Sequence, residues 1–216
     1  MASAPRWLVA ASLLCSSCGS PASPAAPSTA SSAPSPVRRI VVLGDSLAVS
    51  PSLEESFPAE LRARIERLGL RWTVTNAGVN GDTTAGGMGR LEPLITADVG
   101  VLVLELGAND GLRGIDPSAI ETNLSAMIAA AQRRAVRVLL CGMETPPTHG
   151  LDYSVAFHYV FPTVAQRHSV PLVPFLLSAV VLTPELNGPD GIHPNAAGAR
   201  RIADTIWPYL EPLLQN

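Results

Sequence analysis

Cysteine is nearly missing from the body of this 216-residue chain: Cys15 and Cys18 fall in the N-terminal segment and only Cys141 lies further on. If that segment is removed by processing, the remaining chain has one cysteine and no internal disulfide can form. The Cys15-x-x-Cys18 pair has no second pair and no nearby histidine, which argues against a zinc or redox site. No apolar run reaches the ~20 residues that a mature membrane-spanning helix needs. Cations are not gathered into a stripe and the formal net charge is −3. That disfavours a nucleic-acid partner, because such binding rests on Lys and Arg neutralising phosphates. Several familiar signatures are missing as well. There is no G-x-S-x-G elbow, no H-E-x-x-H pair, and the stretch from Gly78 to Gly89 fits neither G-x-G-x-x-G nor the P-loop. These gaps lead to the expectation that the protein uses neither a metal nor a cofactor.

The remaining composition is that of a folded protein, 47% apolar and 15% charged. The length suits one domain with some extra sequence, large enough to bury a core without staples. The extra sequence is at the start. In residues 1–18, Arg6 supplies a positive n-region, Trp7 to Leu14 a short apolar h-region, and small residues follow, as in an export signal. Leu14-Cys15-Ser16-Ser17-Cys18-Gly19 resembles a bacterial lipobox, which would make Cys18 the acylated first residue of the mature chain. The alternative is a plain signal peptide cut among the small residues. Residues 19–37, rich in Ser, Pro and Ala and free of charge, bury too little to repay ordering and read as a linker. The folded domain is expected over 38–216.

From there strands and helices alternate. Ile40-Val41-Val42-Leu43 is a continuous apolar run, as in a strand buried on both faces. Phe57, Leu61, Ile65 and Leu68 fall at helical spacing, with Gly69 to end the helix. Trp72 to Thr75, Val101 to Leu104 and Val136 to Cys141 read as further strands. Asp116-Pro117 opens a helix with Ile120, Leu124, Met127, Ile128 and Ala131 on one face. A helix from Tyr153 to His168 should bend at Pro162. Val170 to Phe175 holds two prolines and is expected at a sheet edge. The last helix is expected over Asn195 to Leu214. This order predicts an α/β fold, a three-layer α/β/α sandwich on a mostly five-stranded parallel sheet, with its site beyond the carboxyl ends of the strands.

Four polar motifs sit at such positions: Gly44-Asp45-Ser46-Leu47, Asn76 to Thr83 with Gly81, Gly107-Ala108-Asn109-Asp110, and Asp190-Gly191-Ile192-His193-Pro194. Taken one at a time they are ordinary turns and caps. Together they supply a serine nucleophile, backbone and amide N–H donors, a base and an orienting carboxylate, which is a complete set for acyl transfer.

Over roughly Arg38 to Leu214 the chain resembles the SGNH (GDSL) hydrolases, named for Ser, Gly, Asn and His in four blocks. The flanking residues, including Val103 to Gly114, are similar to the thioesterase I / lysophospholipase L1 / arylesterase branch. The resemblance implies a flavodoxin-like sheet and an esterase that needs no cofactor. It implies a triad of Ser46, His193 and Asp190, and an oxyanion hole formed by the Ser46 N–H, the Gly81 N–H and the Asn109 amide. The expected partner is a small-molecule or lipid acyl ester, with membrane contact only through an N-terminal lipid anchor. Aryl or short-to-medium acyl esters lead, with thioesters or lysophospholipids beside them. Leu112, Ile115, Met143 and Leu151 suggest an apolar acyl groove. Two alternatives stand: a carbohydrate O-acetylesterase, and a non-catalytic ligand-binding module on the same fold.

Overall fold

The computed structural model describes residues 37–215. The expected leader, Cys18 and nearly all of the linker lie outside the described residues. Five strands, β1 (Arg38–Gly44), β2 (Trp72–Gly78), β3 (Val99–Glu105), β4 (Arg137–Cys141) and β5 (Leu172–Val173), form one parallel sheet in the order β2-β1-β3-β4-β5. Six helices connect and follow them: α1 (Phe57–Arg67), α2 (Thr84–Arg90), α3 (Ala108–Arg113), α4 (Pro117–Arg133), α5 (Leu151–His168) and α6 (Ala196–Leu210). α1 packs with α6, whereas α4 packs with α2 and α5, giving a helical layer on each face. The α/β sandwich expected from the alternating pattern is therefore the observed fold.

Burial on both faces explains why the strands are apolar throughout. Ile40 to Leu43 and Val101 to Leu104 are completely buried, and each such side chain contributes roughly 1.5–3 kcal/mol relative to exposure. The chain runs outward from β1 to β2 and then crosses to the other side of β1 to make β3. The two halves of the sheet diverge at this point, and a cleft opens above the adjacent carboxyl ends of β1 and β3.

Helix ends follow local chemistry. Asp116 accepts from Ser118 N–H with Pro117 next in line, and Asn195 accepts from the Ala197 and Gly198 N–H groups. The last helix is shorter than expected, because Asn195 is its cap and Glu211–Leu213 tighten into a 3-10 turn. β5 is also shorter, only Leu172–Val173 between Pro171 and Pro174, and it lies at the edge as expected. Prolines there cost little because the ladder uses the Pro171 and Val173 carbonyls, which accept from Leu140 and Gly142. Leu68 departs from its expected place, since the helix ends at Arg67 and leaves that side chain exposed.

The glycine-rich stretch that fits no phosphate-binding pattern contains helix α2, Thr84–Arg90. Thr83 caps it by accepting from Gly86 N–H. Gly87 faces the core, where an added Cβ would lie 2.1 Å from Leu106 Cδ1, whereas Gly89 has nothing within 4 Å. Close packing, not flexibility, therefore requires glycine at position 87. Gly87→Ala should destabilise the protein by about 1–3 kcal/mol through overpacking. Gly89→Ala should stabilise it by about 0.4–1 kcal/mol by restricting the unfolded chain. Paired urea-unfolding curves check this, and equal shifts of one sign would contradict the packing account.

Candidate active site

Ser46 begins a short 3-10 turn (Ser46–Ala48) directly after β1. Asp45 caps it, its Oδ1 accepting from Leu47 N–H at 2.9 Å. The next turn is tied back through Ser50, whose hydroxyl donates to the Ser46 carbonyl at 2.7 Å. Ser46 is half-buried and its side chain opens into the cleft.

Asp190 and His193 come from the loop that precedes α6. Asp190 Oδ1 accepts from both the Ile192 and the His193 backbone N–H groups at 3.0 Å, which closes the turn and leaves Oδ2 free. That oxygen lies 2.6 Å from His193 Nδ1, and His193 Nε2 lies 2.8 Å from Ser46 Oγ. An ionised carboxylate can only accept, so the ring proton sits on Nδ1 and Nε2 is left to accept from the serine hydroxyl. The same hydrogen bonds, first that from His193, hold the Asp190 carboxyl well below the usual carboxylate range. The loop is braced from behind by Asn195, whose Nδ2 donates to the Glu185 and Asn187 carbonyls.

Gly81 and Asn109 line the same cleft as Ser46 and His193. Gly81 occupies a tight turn, with Asp82 N–H donating to the Val79 carbonyl, and has φ +72°. A side chain is disfavoured in that conformation. Asn109 stands in the first turn of α3. Its Nδ2 donates one hydrogen to Asp45 Oδ2 at 3.0 Å and keeps a second for the cleft. Gly107, just before it, has φ +124°, and a Cβ there would meet Phe161 at 2.8 Å. All five residues named from the motifs are therefore brought together, from four separate segments.

Two buried carboxyls lie beneath this group. Burial pushes Asp45 up to about 6, although the Leu47 N–H and the Asn109 amide pull the other way. Glu105 is fully buried and is pushed well above the usual range, by burial first and then by the charge of Asp45. Its Oε2 accepts from Asp45 N–H at 3.2 Å, while Oε1 has no partner among the described residues. A carboxyl raised by folding favours the native state below its unfolded value near 3.8 and loses that benefit as pH rises through about 6. At neutral pH Asp45 therefore opposes folding.

Motif reading gave no structural part to Asp45, Glu105 or Arg90. The Arg90 guanidinium donates to Asp82, Ala77 and Gly44. Asp45 carried a signal, as the residue before the serine in its tetrapeptide. Arg90 had none, because its partners lie 8 to 46 residues away. The apolar groove needs correction. Met143 belongs to the core at 2% exposure, and Leu112, Ile115 and Leu151 are exposed. None of the four lines the ≈ 390 Å³ cleft, which is bounded by Ser46, Ser50, Asn80, Gly81, Asn109 and His193. No group of three or more His, Cys, Asp or Glu side chains among the described residues is arranged to hold a metal ion.

This geometry has counterparts. Residues 42–201 match the GDSL-like Lipase/Acylhydrolase family. The esterase TesA of Pseudomonas aeruginosa is 39% identical over 178 residues, covering 81% of this chain and 89% of its own. The thioesterase 1/protease 1/lysophospholipase L1 of Escherichia coli is 34% identical, with 82% and 85% covered. A crystal structure of TesA superposes with a TM-score of 0.78 at 37% identity, covering 82% of this chain and all (100%) of that one. With family, branch and fold in agreement, the chain belongs to the GDSL-like lipase/acylhydrolase family and is a carboxylic ester hydrolase.

Proposed function

We propose that hydrolysis proceeds through an acyl-enzyme on Ser46. The hydrogen-bond chain from Ser46 through His193 to Asp190 carries this reading. His193 Nε2 takes the Ser46 proton as Oγ attacks the ester carbonyl. Asp190 fixes the ring tautomer and balances the imidazolium. The Ser46 N–H, the Gly81 N–H and the free Nδ2 hydrogen of Asn109 receive the oxyanion. His193 returns its proton to the leaving alcohol, then activates water to release the acid. Ser46→Ala should lower kcat by at least about 10⁴-fold while the fold survives, and Asp190→Asn by on the order of 10³–10⁴. Asp190 is held well below the usual carboxylate range, and a histidine base must be neutral to take the serine proton, so kcat/KM should rise from acid to neutral pH. A pH–kcat/KM profile on one aryl ester checks the sign. A fall in rate from acid to neutral pH would contradict a histidine base.

The substrate is a small-molecule ester. The open, polar rim around Ser46 supports short acyl groups, and it gives specific weight to the second reading, a carbohydrate O-acetylesterase. Across p-nitrophenyl esters of graded length, kcat/KM should be highest at two to four carbons, as measured beside acetylated sugars, acyl-CoA and lysophospholipid. A maximum at eight carbons or more would overturn the short-acyl assignment.

The N-terminal segment supports a further part of the proposal. Residues 1–18 direct export, Cys18 is acylated, and 19–37 tether the hydrolase domain to the membrane surface. Cys18→Ser should release activity from the membrane fraction, and intact mass of the mature wild type should include acyl chains on Cys18. A mature N-terminus without lipid would reduce this to plain secretion.

A further inference from the structure

The guanidinium of Arg90 lies below the cleft and touches no part of it, yet it joins the two turns that deliver backbone donors to the oxyanion. Arg90 is the last residue of α2 and three-quarters buried, its side chain being 25% exposed. Nη2 donates to the Gly44 carbonyl at 2.8 Å, Nη1 to the Ala77 carbonyl, and Nε to Asp82 Oδ2 at 2.7 Å. Gly44 leads into the Ser46 turn and Ala77 is near the end of β2. Asp82 directly follows Gly81. We propose that Arg90 is a positioning residue that locks the nucleophile turn and the Gly81 turn in one fixed relation. The proposal rests on the assignment of Ser46 and Gly81 made above.

The peptide that joins Gly44 to Asp45 is gripped from both sides. Its carbonyl accepts from Arg90 and also from Val79 N–H at 3.1 Å, and its N–H donates to Glu105 Oε2 at 3.2 Å. Rotation of that peptide would swing the Ser46 hydroxyl and N–H together. On the other side, Asp82 is tied to its own turn, with its N–H on the Val79 carbonyl and Oδ1 accepting from Thr83 N–H at 3.0 Å. Any shift of Asp82 moves Gly81. Backbone donors have no rotamers with which to correct a misplacement, so their spacing must be set by what holds the two turns.

The sheet contributes one link, the bond from Val79 N–H to the Gly44 carbonyl, and it stops short of Gly81. Gly44 and Gly78 close the β1–β2 ladder, and both turns lie beyond it. Arginine suits the task because its planar fork presents donors from three nitrogens at fixed angles. A lysine ammonium is a point donor and cannot span the same three acceptors in that geometry.

The test uses the full chain with Arg90→Lys and Arg90→Ala, and Ser46→Ala beside them. For each, kcat and KM are measured on p-nitrophenyl acetate, melting is followed, and reactive sites are counted with a p-nitrophenyl phosphonate. Both Arg90 variants should label one serine per chain, with kcat lowered about 10–100-fold and KM within about twofold, as expected for a small misplacement of reacting groups. Free guanidinium should raise kcat of the Ala variant several-fold and should not improve the wild type. Adding Asp82→Asn to Arg90→Lys should cost little more, since the shared ion pair is already altered. If Arg90→Lys keeps kcat within twofold while Ser46→Ala is inactive, the brace is refuted and the nucleophile stands. A loss of rate matched by a loss of labelled sites would also refute it, since Arg90 would then only support folding. Activity in Ser46→Ala would instead overturn the nucleophile itself.

Discussion

Gly44 lies opposite Glu105 in the parallel ladder between β1 and β3, and the turns that follow these two residues carry Ser46 and Asn109. A parallel ladder places equivalent strand ends at one height, so two segments some 60 residues apart leave the sheet side by side. The contact is close: a Cβ on Gly44 would come within 2.3 Å of Glu105 Oε2. Glycine at 44 is therefore needed for Glu105 to reach the Asp45 N–H. That bond, the Leu47 cap and the Asn109 amide all meet at Asp45, the residue just before the serine.

Such an arrangement opposes folding and serves preorganisation. Two carboxyls with raised proton affinity, one of them with a buried oxygen that has no partner among the described residues, are unfavourable in a core. The apolar sheet and its two helical layers outweigh them. What the buried polar groups provide is direction. Asp45 fixes the Asn109 amide so that only one of its hydrogens is left for the cleft, and donors held in advance need no reorganisation when charge appears on the substrate oxygen. His193 is built differently. It sits on an exposed loop, yet the loop is stitched to itself through Gly188, Asp190 and Asn195, so exposure there does not mean freedom.

Strands and long helices are legible in the sequence because each is set by its own side chains. Ile40 to Leu43 is apolar throughout because both faces of β1 are covered, and the α4 face from Ile120 to Ala131 repeats at the helical period. Asp116-Pro117 and Asn195 announce helix starts for the same local reason. Helix α2 goes unassigned from the sequence because its glycines answer to Leu106 and Asp82, which are distant or outside the helix. The polar lining of the cleft is misread because Met143 turns inward to the core and the exposed apolar side chains stay off the Ser46 rim, a matter of orientation that composition does not carry.

Four short motifs name Ser46, Gly81, Asn109, Asp190 and His193, since each residue must have particular chemistry and the turn holding it must have particular backbone freedom. Asp190 and His193 also report their own pairing, being three residues apart in one turn. The sequence by itself determined the reaction class and the strand order in time. Only the tertiary structure decided that β1 lies between β2 and β3, that His193 reaches a serine 147 residues earlier, and that Arg90 ties Gly44 to Asp82. Those facts depend on which distant segments share a hydrogen bond, and a bond between residues far apart in the chain leaves no periodic or local trace in either partner.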